Sequence, residues 1–350
     1  MRAGRGTTAA INILLVVGVL GAGLLALEYV SRWLLPVARG TQFLAADGHP
    51  ALLVDGAYRL FPNVTFRQIS PDFDVVGHTG PRAMRAPEPD GLPNIVFLGD
   101  SFTFGQGLSD EQTFVARYCT KAALACANLG RLGTGTYVQT RMLELRLRDE
   151  NWRPTEVKLF VFAMASSLML GNDFLDTLNE RAALAGGDTA DAEAAAVTIP
   201  EEANPGLLPW LVAQRRKVLA SSNLARIVYG YIGPALRVAF SPTGSAGQLQ
   251  EAVAAMREEM DRLRALAAEF GFTYTIYVVH PVQDLVRGSY PETLAAVREA
   301  AGDARVVSTA AAFLHDPVSA YFPYDGHINA SGAARIAAFL EAEGQAGRTN

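Results

Sequence analysis

The sequence has few cysteines and little net charge. Its 350 residues include only two cysteines, Cys119 and Cys126, which are too few for a disulfide framework and lack zinc-site spacing. If both cysteines lay on one helix, they would be too far apart to form a disulfide. We expect Cys126 to lie beyond the end of the helix, so a disulfide is possible but is not predicted. The net charge of −5 gives no reason to expect a nucleic-acid partner. We predict no metal and no organic cofactor, because the Asp, His and Cys residues suggest no ligand cluster.

The N-terminus is strongly apolar. Residues 9–27 carry no charge, and a helix of that length spans roughly 28 Å, close to the thickness of a bilayer's hydrocarbon core. A cleavable signal peptide is the alternative, but its apolar region is usually about 7–15 residues long. We therefore predict a signal-anchor transmembrane helix within residues 1–35. Arg2 and Arg5 precede it, which favours a cytoplasmic N-terminus and places the remaining chain outside the cytoplasmic membrane, in the periplasm if the source is Gram-negative.

The later sequence alternates between short apolar runs and amphipathic segments. Strands are predicted at 94–98, 126–129, 157–163, 272–279 and 306–307, and helices at 109–118, 137–148, 251–270 and 331–340, the last with Ser331 as its N-cap. Continuously apolar strands joined by helices indicate a parallel sheet that is covered on both faces. We therefore predict an α/β fold, a flavodoxin-like three-layer α/β/α domain with a central parallel sheet.

Three regions surround or interrupt this domain, which we place at residues 94–343. Residues 36–93 are punctuated by prolines, which predicts extended segments packed on the core. A helical insertion is predicted at about 180–245. Its first part, 182–205, has the composition of a flexible surface stretch. Its second part, 207–240, reads as helices that cap the site or lie near the membrane, with an ordinary surface helix pair as the alternative.

Ser101 lies just beyond the first predicted strand, at the sheet edge where ligands bind in such folds. A serine hydroxyl becomes a nucleophile when a neighbouring base takes its proton. His327 is the candidate base, and Asp325 would orient the imidazole and stabilise its protonated form. Two alternatives stay open: Ser101 as a simple helix N-cap, and His280, which follows the fourth strand, as the base.

Four short motifs follow one another along the chain. They are Gly99-Asp100-Ser101-Phe102-Thr103-Phe104-Gly105, Asn128–Gly135, Gly171-Asn172-Asp173 and Asp325-Gly326-His327. In residue type and in order they resemble the motifs of the SGNH/GDSL hydrolases, and more specifically those of the bacterial membrane-anchored subgroup of that superfamily. The resemblance implies an oxyanion hole made by the backbone N–H groups of Ser101 and Gly133 and the side-chain amide of Asn172. Asn172 as an ordinary turn residue is the alternative. The Asp-x-His spacing is shorter than in many members and is similar to that of the anchored subgroup.

Three functions are compatible with these residues. The first is a serine ester hydrolase, a deacetylase of carbohydrates or small esters. The second is an O-acetyltransferase that modifies a cell-envelope or exported polysaccharide, for which the resemblance implies a membrane-bound acyl-transfer partner. The third is a catalytically inactive glycan-binding protein, against which the complete set of Ser101, Asp325 and His327 argues. The sequence does not separate the first two, because acceptor choice depends on the shape of the site.

Overall fold

The structure, a computed structural model, describes residues 4–34, 42–45, 54–55, 58–163, 172–184, 222, 224 and 244–346. The chain divides into two units, Met1–Arg39 with Glu201–Pro242 and Gly40–Pro200 with Thr243–Asn350. The first unit contains helix α1, Gly4–Leu34. In it, Glu28 Oε2 accepts hydrogen bonds from the Ser222 hydroxyl at 2.8 Å and the Leu224 N–H at 2.9 Å. Among the helices of these ranges, none meets the length and apolarity that a membrane crossing requires.

The second unit begins with extended segments, as predicted for this part of the chain. They are β1 (Gln42–Ala45), β2 (Val54–Asp55), β3 (Arg59–Leu60), β4 (Thr65–Ile69) and β5 (Asp74–His78). Strands β1, β4 and β5 form an antiparallel sheet, and β2 pairs with β3. Along β4, Phe66 and Gln68 are buried while their neighbours are exposed, which is the alternation expected of a strand with one covered face. This small sheet packs against the residues that follow the first strand of the central sheet.

The central sheet has five parallel strands. They are β6 (Ile95–Leu98), β7 (Cys126–Asn128), β8 (Glu156–Phe162), β9 (Thr273–Val279) and β10 (Val306–Ser308). Their order across the sheet is β7-β6-β8-β9-β10, and every pairing is parallel. Numbered along the chain this is 2-1-3-4-5, the flavodoxin-like order. The predicted α/β fold with a central parallel sheet is confirmed. The chain adds β7 on one side of β6 and then adds β8, β9 and β10 on the other side. The carboxyl ends of all five strands lie at one edge of the sheet.

Helices cover both faces of the central sheet. They are α2 (Ser101–Phe104), α3 (Phe114–Ala122), α4 (Thr136–Asp149), α5 (Asn172–Leu184), α6 (Gly244–Phe270), α7 (Val282–Arg287), α8 (Tyr290–Ala301) and α9 (Ala330–Ala346). Side chains of α4, α6 and α8 pack on one face, and side chains of α3 and α9 pack on the other. Strand β8 serves both layers, since Leu159 and Val161 face the first and Phe160 and Phe162 face the second. This double burial explains its nearly continuous apolar sequence.

Three details differ from the sequence expectations or extend them. Helix α9 begins at Ala330, and its first N–H groups, those of Ser331 and Gly332, donate to the Asn329 side chain, so Asn329 and not Ser331 is the capping residue. Lys158, the charged residue in β8, is buried and pairs with Glu156. Most of the predicted insertion at 180–245 lies outside the described residues.

Cys119 and Cys126 form a disulfide. Cys119 lies in α3, and Cys126 is the first residue of β7, beyond the end of the helix as expected. Their Cα atoms are 6.1 Å apart, well within the reach of a disulfide. The bridge that the sequence left open is therefore present, and it ties a covering helix to the edge strand of the central sheet.

Candidate active site

Ser101 lies at a sharp turn between a buried strand and a short helix. Strand β6 ends at Leu98, Gly99 makes the turn, and Ser101 is the first residue of α2. A side chain at position 99 would come within 2.1 Å of the Thr103 hydroxyl oxygen and 3.0 Å of a β8 carbonyl, so only glycine fits. The Asp100 carboxylate caps the helix by accepting the N–H of Phe102 at 2.9 Å. The N-cap role is thus filled by Asp100, which leaves the Ser101 hydroxyl available for chemistry.

The Ser101 hydroxyl meets a histidine from the far end of the chain. Its Oγ lies 2.6 Å from His327 Nε2, and His327 Nδ1 lies 2.5 Å from Asp325 Oδ1. With Nδ1–H donating to the carboxylate, Nε2 is left to accept the serine proton. The Asp325 and His327 side chains are 7% and 17% exposed, so both are held largely away from water. Ser101, His327 and Asp325 thus have the arrangement and the order of contacts of a catalytic triad.

A tight turn explains how an Asp-x-His spacing serves the triad. Gly326 has a φ of +84°, a left-handed conformation that glycine adopts readily. Its N–H donates to the Phe322 carbonyl at 3.0 Å, and the Phe322 N–H donates to the His327 carbonyl at 2.8 Å. The chain reverses direction between these bonds, which brings the side chains of Asp325 and His327 together. Asp325 and His327 therefore belong to one turn.

An aromatic ring supports the imidazole from the side. The Phe102 ring lies with its centroid 4.5 Å from that of His327, and on its other side it stacks on Phe162 at 4.3 Å. Phe102 is 4% exposed. The residue after the nucleophile therefore fixes the plane of the base, and it lowers the local dielectric constant, which strengthens the hydrogen bonds of the triad.

The loop that carries Gly133 is bound to the serine turn. The Asn128 side chain donates to the Thr103 carbonyl at 2.9 Å, and the Arg131 N–H donates to the Gly99 carbonyl at 3.0 Å. Gly133 itself has a φ of +62°, again left-handed. These hydrogen bonds hold the loop beside the serine turn, which is compatible with the predicted role of the Gly133 N–H as an oxyanion donor. Asn172 is the first residue of α5, but its side chain lies outside the described residues, so its role stays a prediction.

His280, the rival base, belongs to a different environment. It follows β9 as predicted, but its ring contacts Ser308 Oγ at 2.8 Å and Thr293 Oγ1 at 3.3 Å. Burial lowers the pKa of His280 to about 4, so the ring is neutral at physiological pH. The structure brings His327 to the nucleophile and gives His280 a structural role within the core.

Buried carboxyl groups lie close behind the site. Burial raises the pKa of Asp100 to about 6 and that of Asp176 to about 6, and it raises the pKa of Asp173 well above its usual range. Asp173 accepts the N–H of Phe162 at 2.8 Å.

Within the described ranges, no group of three His, Cys, Asp or Glu side chains is arranged to hold a metal ion.

Two contacts of Asp325 could not be foreseen from the sequence. Gln106 Nε2 donates to Asp325 Oδ2 at 3.0 Å, and Asp72 Oδ2 accepts the backbone N–H of Asp325 at 2.7 Å. Both partners are more than two hundred residues away along the chain. The one available signal was that Gln106 directly follows the seven-residue motif Gly99–Gly105, which contains Ser101. No feature of the sequence pointed to Asp72.

Comparisons with known proteins return solved structures only. No family model and no curated protein matches the sequence. The solved structures include an α/β hydrolase enzyme from the metagenome of Lake Arreo, Spain, with 16% identity and a TM-score of 0.38, covering 72% of this chain and 95% of that one. A family two carbohydrate esterase from Clostridium thermocellum has 13% identity and a TM-score of 0.36, covering 88% and 86%.

A third matching structure is described as a lipolytic protein of the G-D-S-L family, from Desulfitobacterium hafniense. It has 9% identity and a TM-score of 0.33 and covers 71% of this chain and 97% of its own. The matched structures thus include G-D-S-L lipolytic proteins and carbohydrate esterases. At these identities and TM-scores the functional assignment depends on the sequence motifs and on the geometry of the site.

Proposed function

We propose that this chain is a serine ester hydrolase of the SGNH/GDSL type, a deacetylase of carbohydrates or small esters. The observation that carries the proposal is the continuous hydrogen-bond chain from Ser101 Oγ through His327 to Asp325. An inactive glycan-binding protein would have no requirement for this chain, nor for the capped turn that aims the serine at the imidazole.

The geometry supports a two-step acyl transfer. Ser101 Oγ attacks the ester carbonyl carbon while its proton passes to His327 Nε2, and Asp325 stabilises the resulting imidazolium. The tetrahedral intermediate collapses, the alcohol leaves with the proton from Nε2, and Ser101 remains acylated. Water then attacks the acyl carbon with His327 as base, which releases the carboxylic acid and restores the hydroxyl. The Ser101 and Gly133 N–H groups and the Asn172 amide are the proposed donors to the negative oxygen.

The aromatic residues near the triad differ in their accessibility to a substrate. Tyr321 is buried and donates its hydroxyl to the His280 carbonyl at 2.6 Å. Tyr324, which precedes Asp325 in the chain, is 52% exposed and is an aromatic side chain that a substrate at the triad could contact.

Two observations support action outside the cytoplasmic membrane. The Cys119–Cys126 disulfide is typical of oxidising compartments. The uncharged stretch at residues 9–27 is the sequence observation behind the proposed N-terminal anchor, although no described helix meets the requirements of a membrane crossing. The anchor also favours the alternative function, an O-acetyltransferase that passes the acetyl group of Ser101 to a sugar hydroxyl in place of water and works beside an acyl-transfer partner in the membrane.

The test is to measure acetate release from p-nitrophenyl acetate by the full chain, with and without a polysaccharide acceptor. Ser101→Ala is the control for background hydrolysis. Release that depends on Ser101 and is unchanged by the acceptor supports the hydrolase. Acetyl groups found on the acceptor at the expense of free acetate would establish the transferase instead, and equal release by Ser101→Ala would overturn both.

A further inference from the structure

Asp325 is held by two side chains that lie outside the triad. Its Oδ1 is occupied by His327, and its Oδ2 accepts a hydrogen bond from Gln106 Nε2 at 3.0 Å. Its backbone N–H, together with that of Tyr324, donates to one carboxylate oxygen of Asp72, at 2.7 and 2.9 Å. The carboxylate that orients the base is therefore fixed through both its side chain and its backbone.

Asp72 is itself held in place. It lies in the turn between β4 and β5, where its N–H donates to the Ser70 hydroxyl at 3.0 Å and the Ser70 N–H donates to the Phe73 carbonyl at 2.9 Å. Beside it, the Phe73 ring packs on Phe322 with centroids 4.8 Å apart. The hairpin thus holds the turn that carries Asp325 through the hydrogen bonds to Asp72 and through the contact between the Phe73 and Phe322 rings.

Gln106 links the same carboxylate to the nucleophile. Its N–H donates to the Ser101 carbonyl at 3.0 Å, so its backbone position depends on that of α2. The next residue, Gly107, donates its N–H to the Gln68 side chain at 2.8 Å. Gln68 belongs to β4, so the hairpin that supplies Asp72 also fixes the loop that supplies Gln106.

We propose that Asp72 and Gln106 are positioning residues for Asp325, which makes the β4–β5 hairpin a working part of the active site. The inference rests on the proposed triad. A carboxylate with a donor on only one oxygen can rotate away from the imidazole, and a turn without its acceptor can shift as a whole. Misplacement of a reacting group by about 1 Å is enough to lower rates by on the order of a hundredfold.

The first experiment compares Asp72 variants of the full chain. Asp72→Leu removes the acceptor, whereas Asp72→Asn keeps an oxygen for the two N–H groups. Asp74→Leu is the matched control, since Asp74 lies in the same hairpin and pairs with Arg67 at the surface. We expect kcat to fall roughly tenfold to a hundredfold in Asp72→Leu, with KM little changed, substantial recovery in Asp72→Asn, and near-normal kcat in Asp74→Leu.

Folding of each variant is checked by its melting temperature, because loss of the hairpin would also lower activity. The rescue by Asp72→Asn separates positioning from folding. Wild-type kcat in a folded Asp72→Leu protein would overturn the role of Asp72, and so would equal losses in Asp72→Leu and Asp74→Leu.

The second experiment adds a charge beside the triad. Gln106→Glu places a carboxylate next to Asp325, which stabilises the protonated imidazole, so the acid limb of the kcat/KM profile moves to higher pH. Among the described residues, Asp72 and Asp100 also place acidic groups beside Asp325 and His327, and both are unchanged in the variant. Gln112→Glu is the control, since its side chain accepts the Ser109 N–H and glutamate serves equally in that cap. If the acid limb of the kcat/KM profile moves in both variants or in neither, the placement of Gln106 beside Asp325 is contradicted.

A measurement without substrate keeps this inference separate from the proposed function. The proton on His327 Nδ1 that is shared with Asp325 gives a far-downfield proton NMR signal when the pair is ordered. We expect that signal in the full chain and its loss in Asp72→Leu, but not in Asp74→Leu. If no ester is turned over, the proposed function fails while this signal still decides the positioning role; an unchanged signal in Asp72→Leu refutes it.

Discussion

The guanidinium of Arg85 pairs with the Asp110 carboxylate in the interior of the protein. The Arg85 side chain is fully buried, lies 5.2 and 5.1 Å from the centroids of Phe66 and Phe104, and donates to the Leu108 carbonyl at 3.0 Å. Burial lowers the pKa of Arg85 to about 9. One side chain thus joins the N-terminal sheet to the loop after Ser101.

Replacement of Arg85 should destabilise the fold severely. Arg85→Met removes the guanidinium from the buried Asp110 carboxylate, which keeps its contacts with the His78 ring and the His78 N–H. Because the lost partner is a buried charge, we expect the free energy of unfolding to fall by roughly 3–5 kcal/mol. Urea denaturation measures it. Arg67→Met is the matched control, because Arg67 pairs with Asp74 on the exposed side of the same sheet; we expect little change there. A loss in Arg85→Met no larger than in the control would contradict the account.

The turn at Gly326 should matter for catalysis more than for stability. Gly326→Ala forces a side chain into a left-handed conformation, which costs about 1–2 kcal/mol even though the space beyond is open. Relaxation of the turn separates Asp325 from His327, so kcat/KM should fall at least tenfold. Gly288→Ala has the same conformation and the same open space at the end of α7, and should lose similar stability with unchanged kcat/KM. Equal kcat/KM values in the two variants would count against the role of the turn.

The disulfide should contribute measurably to stability. Closing the short loop between Cys119 and Cys126 restricts the unfolded chain, for which loop entropy gives about 2.5 kcal/mol. Thermal melting of the oxidised protein should exceed that of the double variant Cys119→Ala/Cys126→Ala, and reducing agent should lower the melting temperature of the wild type only. Identical melting of wild type and double variant would show that the bridge does not form.

Stability should decrease as the pH rises from about 5 to about 8. Glu180 accepts the N–H groups of Gly135 and Val138 at 2.9 and 3.2 Å, yet burial raises its pKa to about 8. Between its ordinary value of 4.5 and about 8, the folded protein binds more protons than the unfolded chain, so the free energy of unfolding falls with pH. The raised pKa values of Asp100 and Asp176 act in the same direction.

Glu180→Gln tests the sign of this dependence, because glutamine cannot ionise. Urea denaturation near pH 5 and pH 8 should show a smaller decrease in the variant than in the wild type. Glu258→Gln, at an exposed glutamate of α6, should keep the wild-type decrease. A wild-type stability that rises over this range would contradict the assignment.

The fold was predictable because its strands are buried on both faces. Continuous apolar runs such as Ile95–Leu98 and residues 276–279 favour a covered parallel sheet, so the layers follow from the sequence. Strand ends shifted by a residue or so, and the capping of α9 by Asn329 was missed because Asn329 and Ser331 are both good capping residues.

The reacting groups were predictable and their supports were not. Ser101 is identified by its residue type and its position after β6, and Asp325 and His327 by their motif before the last helix. The hold that Asp72 and Gln106 have on Asp325 depends on how a hairpin packs across the sheet edge, and no local pattern encodes a contact between residues so far apart in sequence. The choice between His327 and His280 likewise needed coordinates, because the sequence does not show which ring reaches Ser101.

The most direct test of the account is to trap the acyl-enzyme. The full chain, mixed rapidly with p-nitrophenyl acetate and quenched, should show a burst of p-nitrophenol that scales with protein and an acetyl group on the peptide that contains Ser101. The same mixing with Ser101→Ala should give neither, at an unchanged melting temperature. An acetyl group on another residue, or turnover that persists in Ser101→Ala, would contradict the assignment of Ser101 as the nucleophile.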